Sequence, residues 1–281
     1  MKLLRVGPAG REKPAILDAD GQVRDLSAHV EDLSGPDVSI EALDRIRGID
    51  LSSLPVIEDT GRIGSCLAQV PNFFCIGLNY ARHAAETGAK EPAEPILFSK
   101  ASSALSGPND PIAIPRGAEK MDWEVELGVV IGRETLYVSE AEALSCVAGY
   151  CVINDVSERS FQAERGGQWI KGKSAPGFGP VGPWLVTVDE VSDPQSLALS
   201  LSVNGEVMQS STTGDMIFGV AQIISYMSQF MKLMPGDVIA TGTPEGVGLG
   251  MSPQRFLRAG DVMELTVEGL GTQRQEVLAA S

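Results

Sequence analysis

The run MDWEVELGVVI at Met121–Ile131 decides how the chain is expected to fold. Read with the two-residue period of a β-strand, it places two glutamates, Glu124 and Glu126, on one face. The opposite face is apolar and consists of Trp123, Val125, Leu127 and Val129. Carboxylates two residues apart on a strand have Cβ atoms only about 6–7 Å apart. Two like charges held that close in a partly desolvated place need a counter-charge, or one of them must take a proton.

A second apolar run, Tyr150–Val156, contains another carboxylate near its end, Asp155. Asp155 could supply a third oxygen beside Glu124 and Glu126. Three carboxylates suit a hard divalent cation such as Mg²⁺, which keeps positions open for water and substrate. An edge strand with a solvated, glutamate-rich face explains the same residues. The residues alone leave both interpretations open.

The composition is that of a folded protein and limits its partners. The chain has 281 residues, of which 43% are hydrophobic and 21% are charged. This length allows one large domain, or a small domain with a larger one. The formal net charge of −15 argues against nucleic acid or an anionic membrane as the main partner. An acidic protein that binds an anionic substrate also needs a local cation, and a bound metal would provide it.

The sequence shows neither a targeting signal nor a membrane segment. Met1–Pro8 becomes polar too early for a signal peptide, and no apolar run approaches the roughly 20 residues of a membrane helix. The four cysteines lack the CxxC spacing of zinc sites and redox pairs; they are Cys66, Cys75, Cys146 and Cys151. Reduced, buried thiols favour the cytoplasm, so a cytoplasmic protein is expected.

Short strands and Gly/Asp turns predict a mainly β fold with α+β elements. Residues 1–65 are predicted to form a small N-terminal α+β domain, and residues 66–281 a larger domain. In the first, Lys2–Val6 and Pro14–Leu17 read as strands, and Asp37–Ile49 has a helical pattern.

Three further patterns predict elements of the larger domain. Ser139–Ala148 and Phe218–Phe230 predict helices, the second of them amphipathic. The pair Asn204-Gly205 between two strand-like runs predicts a β-hairpin.

A short segment after a buried strand offers a candidate general base. Phe73–Leu78 leads into an Ala-rich segment for which Asn79 is a suitable N-cap. His83 and Glu86 are three residues apart, so they can meet on one helical face. A carboxylate beside an imidazole raises its basicity and fixes its tautomer, as a general base requires. A surface helix with an ordinary charge pair is the alternative interpretation.

The polar, Pro-rich segment Thr87–Pro95 follows this pair and is predicted to be a mobile lid. The preceding helix has about two turns, below the roughly 12–15 residues at which an isolated helix becomes marginally stable. We therefore expect His83 and Glu86 to be poorly ordered until substrate binds.

A glycine-rich loop near the C-terminus could approach a ligand closely. Val238–Thr241 reads as a buried strand that opens into Gly242–Gly250, where Thr243 offers a hydroxyl group. Gly172–Ser174 is not part of a P-loop, because Pro176 prevents the helix that must follow it. Nucleotide binding is therefore not expected.

Taken together, five blocks of sequence resemble the fumarylacetoacetate hydrolase family. In order, they are Asn79-Tyr80 with His83 and Glu86, Asp122–Leu127, Asn154–Ser157 with Arg159 and Gln162, Gly172–Ser174, and Thr241–Pro244. They follow the family's order and span roughly residues 72–281. The resemblance implies a rolled, mixed β-sandwich and a homodimer. Residues 1–65 are similar to the small N-terminal domain of the bacterial branch that contains 2,4-diketo-3-deoxy-L-rhamnonate hydrolase.

The resemblance also implies a metal site. Glu124, Glu126 and Asp155 match the family's Mg²⁺ or Mn²⁺ ligands. Asp122 precedes them on the same face but does not match a ligand, so a supporting hydrogen bond is its expected role.

The remaining matches imply catalysis and substrate binding. His83 with Glu86 matches a dyad that activates water, and Lys173 matches a lysine that faces the substrate. The residues that match substrate contacts or their support are Gln162, Thr243 and Arg159.

The implied activity is metal-dependent hydrolysis of the C3–C4 bond of a 2,4-diketo acid, giving pyruvate and a carboxylic acid. The substrate would be an acylpyruvate or a diketo-deoxy sugar acid such as 2,4-diketo-3-deoxy-L-rhamnonate. An oxaloacetate decarboxylase and an isomerase of hydroxydienoic diacids remain alternatives on the same site. A non-catalytic ligand-binding protein would not require both His83 and Glu86. Ala175–Gly177 departs from the branch's pattern beside Lys173, so the substrate's distal end is expected to differ.

Overall fold

A computed structural model describes residues 1–280. Within this range the strands are β1 (Lys2–Val6), β2 (Lys13–Leu17), β3 (Val23–Asp25), β4 (Phe73–Gly77), β5 (Ile96–Lys100), β6 (Leu105–Ser106), β7 (Ile112–Ala113), β8 (Met121–Asp122), β9 (Val125–Ile131), β10 (Val147–Asn154), β11 (Ser157–Glu158), β12 (Gly179–Thr187), β13 (Ala198–Val203), β14 (Glu206–Thr212), β15 (Val238–Ala240), β16 (Val262–Val267) and β17 (Gly271–Leu278). The α-helices are α1 (Ile40–Arg47), α2 (Ala81–Glu86), α3 (Glu140–Ala143), α4 (Arg159–Ala163), α5 (Ile170–Lys173) and α6 (Val220–Ser228).

Two sheets form the body of the molecule. The larger sheet runs in the order β3-β2-β1-β12-β10-β9-β15-β4-β5, and β6 pairs with β12 beside it. The smaller sheet runs β14-β13-β16-β17-β7, and β8 pairs with β11 separately. The larger sheet is mixed, because β15 is parallel to β4 but antiparallel to β9. This confirms the predicted mainly β fold with a mixed sandwich and a few helices.

Strands β9 and β10 occupy the centre of the larger sheet and are buried along their whole length. The apolar face of β9, with Leu127 and Val129, packs in the core between the two sheets. Val130 points the other way and packs in a second core. The edge-strand interpretation is wrong, because β9 lies between β10 and β15. Glu124 and Glu126 are only 4% and 2% exposed.

The strand predicted around the two glutamates is interrupted. It stops after Asp122 and resumes at Val125. The Asp122 carboxylate accepts hydrogen bonds from the backbone N–H groups of Trp123 and Gly248, at 2.9 and 2.7 Å. At the other side of the break, Oε1 of the buried Gln209 accepts the N–H of Val125 at 3.0 Å. Side chains thus replace the missing strand partners of this backbone.

The N-terminal segment extends the larger sheet. Strand β1 pairs antiparallel with β12, where Leu3 lies opposite Leu185. Leu3 and Ile16 belong to the same core as Val130 of β9. The division into residues 1–65 and 66–281 stays a prediction, and the sheet and one core run across it.

Helices α1 and α3 are shorter than the sequence pattern predicted. Helix α1 begins after Ser39, whose hydroxyl accepts the N–H of Ala42 at 3.2 Å. The helix predicted over 139–148 ends early, because Val147 already belongs to β10. The hairpin prediction is confirmed: Asn204 and Gly205 connect β13 and β14 with φ values of 53° and 79°. No helix within residues 1–280 is long and apolar enough to cross a membrane.

The close packing of β10 against β12 can be tested at Gly149. A Cβ atom at this position would lie 2.3 Å from the carbonyl oxygen of Val186, which the sheet holds in place. We expect Gly149→Ala to lower the free energy of unfolding by about 1–3 kcal/mol, measured by urea unfolding.

The matched control is Gly48→Ala, where the backbone is helical and the nearest atom would be 3.4 Å from the new Cβ. This change should stay within about 0.5 kcal/mol of the parent protein. Equal unfolding midpoints for the two variants would contradict the packing argument.

Candidate active site

The register of β9 and β10 brings three carboxylates together. The ladder pairs Val125 with Asn154, and just beyond it the N–H of Asp155 donates to the carbonyl of Glu124 at 2.9 Å. One oxygen each from Glu124, Glu126 and Asp155 lies within 4.8 Å of the others, and all three residues are buried. The structure therefore assembles the three residues that the sequence singled out.

Three buried cations surround this carboxylate cluster. Lys173 Nζ at the end of α5 lies 2.6 Å from Glu124 Oε2 and 2.7 Å from Asp155 Oδ2. Arg159 at the start of α4 lies with its Nη2 2.7 Å from Glu124 Oε1. Lys100 at the end of β5 pairs with Asp155 Oδ1 and donates to the carbonyl of Lys173 at 2.7 Å. The cluster is thus held from three separate elements.

Lys100 is a site residue that the sequence reasoning missed. Its side chain is fully buried against Asp155. The available signal was a lysine that ends an apolar strand. Because an ammonium group is rarely buried without a carboxylate, its partner had to be one of the buried acids.

Glu126 differs electrostatically from its neighbours. Within residues 1–280 its carboxylate forms no ion pair, and Oε2 accepts one hydrogen bond, from the N–H of Gly242 at 2.7 Å. Burial raises the pKa of Glu126, and the nearby charges of Asp155 and Glu124 raise it further. Burial also works to raise the pKa of Glu124, but Arg159 and Lys173 hold it well below its usual range. Glu126 therefore needs a proton or a further cation.

A hard divalent cation fits this donor set. All three candidate ligands are carboxylates, and within the described residues no cysteine or histidine joins their cluster. An ion bound to Glu124, Glu126 and Asp155 would supply the positive charge that Glu126 lacks. Buried charges are tolerated only when they are paired or coordinate a metal.

The candidate base lies in contact with Glu86. His83 Nδ1 lies 2.8 Å from Glu86 Oε1, and Glu86 Oε2 accepts the N–H of Gly246 at 2.9 Å. His83 is only 6% exposed, so the alternative of a surface charge pair is wrong. That the dyad becomes ordered only when substrate binds stays a prediction; in the structure, α2 contacts the glycine-rich loop through Glu86 and Gly246.

Asn79 is not the N-cap of α2, because Tyr80 occupies that position. The Asn79 side chain instead connects three segments. Its amide donates to the carbonyls of Phe218 and Thr241, at 3.0 and 2.7 Å, and its oxygen accepts the N–H of Phe218 at 2.8 Å. This fixes the start of α2 against β15 and α6.

Arg159, Gln162 and Thr243 are expected to contact substrate, and they differ in how many of their donors and acceptors are already used within the protein. Arg159 donates to Asp122 at 2.8 Å and to Gln162 Oε1 at 3.1 Å, besides its pair with Glu124. The amide nitrogen of Gln162 is left for a ligand. Thr243 Oγ1 donates to the carbonyl of Val125 at 2.9 Å and accepts from Gln209 at 2.8 Å. Its hydroxyl proton is therefore already used within the protein, so any substrate contact by Thr243 would be as an acceptor.

A cavity of about 260 Å³ connects these groups. Its lining includes the carboxylate cluster, the three residues expected to bind substrate, and both His83 and Lys173. Thr87 and Ala89 of the predicted lid also line it, and the lid itself stays a prediction. On the Lys173 side the wall is formed by Trp169 of the preceding loop, whereas Ala175 packs against the core.

Comparison with known proteins places the chain in a family. The model of the fumarylacetoacetate hydrolase C-terminal domain matches residues 72–278. The chain belongs to the fumarylacetoacetate hydrolase family. It is 59% identical over 276 residues to a protein of Burkholderia lata named as a candidate hydrolase, a match that covers 98% of both chains.

Solved structures of the same family are similar over the whole chain. A fumarylacetoacetate hydrolase from Exiguobacterium antarcticum is 36% identical, with a TM-score of 0.86 and 99% of both chains covered. A probable 2-hydroxyhepta-2,4-diene-1,7-dioate isomerase from Mycobacterium abscessus is 31% identical, with a TM-score of 0.83 and full coverage of both chains. The maleylpyruvate hydrolase of Sphingobium, in complex with manganese(II) and pyruvate, is 27% identical, with a TM-score of 0.81 and full coverage of both chains.

The metal site can be tested by binding alone. Glu126→Gln keeps an acceptor for the N–H of Gly242 but removes the charge that lacks a partner. We expect the affinity of the chelator-treated protein for Mn²⁺ to fall about 10–100-fold or more, measured by titration calorimetry.

The control is Glu245→Gln, which changes a carboxylate bonded to the exposed Arg82. It should leave Mn²⁺ affinity unchanged. If Glu126→Gln binds Mn²⁺ as tightly as the parent protein, the carboxylate cluster is not the metal site.

Proposed function

We propose that this protein is a divalent-metal-dependent hydrolase that cleaves the C3–C4 bond of a 2,4-diketo acid to pyruvate and a carboxylic acid. The observation that supports this most directly is that the carboxylate cluster and His83 line one cavity, while Glu86 holds His83 by a contact of 2.8 Å to its Nδ1. A metal-binding protein without catalysis would need only the cluster. Mg²⁺ or Mn²⁺ is the proposed ion, because all the donors are carboxylate oxygens.

The buried charges suit a metal and an anionic substrate together. The carboxylate cluster and Asp122, which pairs with Arg159, carry four negative charges; the three positive charges are those of Lys100, Arg159 and Lys173. Four negative against three positive charges leave one negative charge. A divalent cation would turn this into one positive charge, and the carboxylate of a 2-keto acid would neutralise it. A buried site is least costly when its charges balance.

Glu124, Glu126 and Asp155 would hold the metal. When bound, it would supply Lewis-acid charge at the keto-acid end of the substrate. Arg159 keeps Glu124 in place through its contact at 2.7 Å, and Lys100 does the same for Asp155. Both cations are proposed to position the ligands, and of the two only Arg159 lines the cavity.

His83 is the proposed general base. Its Nδ1 is committed to Glu86, so Nε2 is the ring nitrogen that can accept a proton from water. Removal of that proton lets the water oxygen form a bond to C4 while the C4 carbonyl accepts the electron pair. Collapse of this adduct breaks the C3–C4 bond, and its electrons pass to the pyruvate enolate. Protonation at C3 then gives pyruvate, and C4 leaves as a carboxylic acid.

Lys173 is proposed to stabilise the enolate. Burial works to lower the pKa of Lys173, but Asp155 and Glu124 raise it above its usual value, so the side chain stays an ammonium ion. Its three N–H bonds include one more than its contacts to Glu124 and Asp155 require. A fixed positive charge at the place where negative charge develops lowers the barrier to C–C cleavage.

An isomerase is the second candidate function. The similarity to the Mycobacterium abscessus isomerase, at 31% identity over the full length, favours it. Isomerisation of a hydroxydienoic diacid would use the same enolate stabilisation but would not consume water. Release of pyruvate therefore separates the two functions.

We also infer the setting in which the enzyme works. The net charge of −15 supports a small-molecule acid as partner rather than nucleic acid or a membrane. The reduced cysteines support a cytoplasmic location, and the family resemblance supports a homodimer. Sedimentation velocity of the purified protein would test the dimer.

The role of His83 can be tested with two reactions. His83→Ala removes the base but leaves the carboxylate cluster and Lys173 intact. We expect hydrolysis of a 2,4-diketo acid to fall about 10²–10⁴-fold, while any decarboxylation of oxaloacetate falls much less, because decarboxylation needs no attacking water. Pyruvate release is the measurement for both.

His29→Ala is the matched control, since His29 is the other histidine and is exposed. It should leave both rates unchanged. Equal losses of both reactions in His83→Ala would contradict the assignment of His83 as the base for water.

Glu86→Gln tests the tautomer of His83. The oxygen of the new amide must accept the N–H of Gly246, so its NH₂ group would face Nδ1 of His83. The proton would then move to Nε2, which could no longer act as a base. We expect hydrolysis to fall about 10²–10⁴-fold with little change in thermal stability.

The double variant Glu86→Gln/His83→Ala should be no slower than the slower single variant, because the two residues act as a unit. Losses that multiply would show that Glu86 acts on the reaction independently of His83.

A further inference from the structure

The cavity has one polar end and one apolar end. The carboxylates, Lys173, Arg159 and His83 gather at the first. Most of the remaining lining is apolar and includes Leu78, Ala89, Phe98, Ala163, Trp169 and Leu249; its polar members are Thr87, Gln162, Glu164 and Thr243. Substrate atoms beyond the keto-acid group would therefore meet hydrocarbon and aromatic surface.

Two of the polar residues beside this apolar wall already have partners. The hydroxyl of Thr87 donates to the carbonyls of His83 and Ala84 at 3.0 and 3.1 Å. The carboxylate of Glu164 pairs with Lys120. Beside the apolar wall, the amide nitrogen of Gln162 is then the main free donor for hydroxyl groups on the distal carbons of a substrate, and transfer of several such groups from water is costly.

Contacts between two aromatic rings hold the apolar wall in a defined position. The rings of Phe98 and Trp169 meet edge to face, with centroids 5.2 Å apart and planes at 66°. Trp169 lies directly on Gly77, since a Cβ atom there would be 2.5 Å from Cζ3 of the indole. The ammonium group of Lys173 sits 5.1 Å from the centroid of Phe98. The wall therefore begins at the catalytic lysine and continues to the indole.

The size of the cavity agrees with an acyl group of moderate length. Its volume is about 260 Å³. An engineered apolar cavity of about 150 Å³ in another protein holds benzene. Space thus remains for an alkyl chain or a phenyl ring beside the keto-acid end.

We infer that the acyl group attached to C4 of the substrate is apolar, alkyl or aromatic, and that it packs against Trp169 and Phe98. This inference rests on the proposed function and selects acylpyruvates over polyhydroxylated diketo sugar acids. Trp169 and Phe98 determine this specificity, and Gly77 positions the indole.

The first experiment measures pyruvate release with Mg²⁺ from acetylpyruvate, pentanoylpyruvate, benzoylpyruvate and a dihydroxylated acylpyruvate as long as pentanoylpyruvate. We expect kcat/KM to rise about fourfold per added methylene until the cavity is filled. The dihydroxylated compound should be about tenfold or more poorer than its apolar counterpart. A dihydroxylated substrate that is cleaved as well as pentanoylpyruvate would overturn the inference and leave the proposed function standing.

Variants of the apolar wall test whether its residues cause the preference for longer acyl groups. Trp169→Ala should reduce the preference for pentanoylpyruvate over acetylpyruvate at least about fivefold. Trp169→Phe should keep most of it, and Gly77→Ala, which displaces the indole, should reduce it. Phe230→Ala is the control, because this ring is 66% exposed and does not line the cavity. A preference that is unchanged in Trp169→Ala would overturn the role of the indole.

A binding series separates this inference from the proposed function. Saturated 2-oxo acids from pyruvate to 2-oxooctanoate lack the second keto group and cannot be cleaved. With Mg²⁺ present, calorimetry should show affinity that rises with chain length in the parent protein and much less in Trp169→Ala. Failure to cleave any 2,4-diketo acid would refute the proposed function. Affinity that does not depend on chain length would refute the apolar acyl site.

Discussion

Three carboxylates held together inside the protein are the constraint on which the rest of the site depends. The register of β9 against β10 places Glu124 beside Asp155, and Glu126 follows on the same face. Removing these charges from water is costly, and their mutual repulsion adds to that cost. The structure meets it with cations from three separate elements: Lys100 on β5, Arg159 on α4 and Lys173 on α5. An arrangement this costly indicates a functional role for the cluster rather than a contribution to stability.

One glycine-rich loop joins the carboxylate cluster to the candidate base. The N–H of Gly242 reaches Glu126, and the N–H of Gly246 reaches Glu86. Both glycines have positive φ values, 99° and 101°, which residues with a side chain rarely adopt. The loop after β15 therefore fixes the distance between the metal ligands and the dyad. A short helix that would be unstable alone is ordered in this way by tertiary contacts.

The cavity divides recognition between its two ends. The charged end would select a keto acid by charge and by metal binding. The apolar end depends on Phe98, Trp169 and the absent side chain of Gly77. Lys173 touches both, since it contacts two carboxylates and the ring of Phe98. In the proposed function, binding of the acyl group and stabilisation of the enolate would therefore meet at one ammonium group.

The sequence by itself determined the elements that local pattern encodes. The alternation around Glu124 and Glu126 predicted a strand, Asn204-Gly205 predicted the hairpin, and the spacing of His83 and Glu86 predicted that they could meet. These features depend on residues close in sequence, where period and turn chemistry decide the outcome. The family resemblance added the position of Lys173, which no local pattern indicates.

Only the tertiary structure decided what long-range pairing controls. Burial of β9 between β10 and β15 ruled out the solvated edge strand, and the side chain of Gln209 explains how that strand tolerates its break. Lys100 became a site residue because β5 ends beside Asp155, although the two are far apart in sequence. The indole of Trp169 became a cavity wall because Gly77 on β4 leaves room for it. Each of these contacts joins separate elements, so the sequence pattern of one element alone could not specify it.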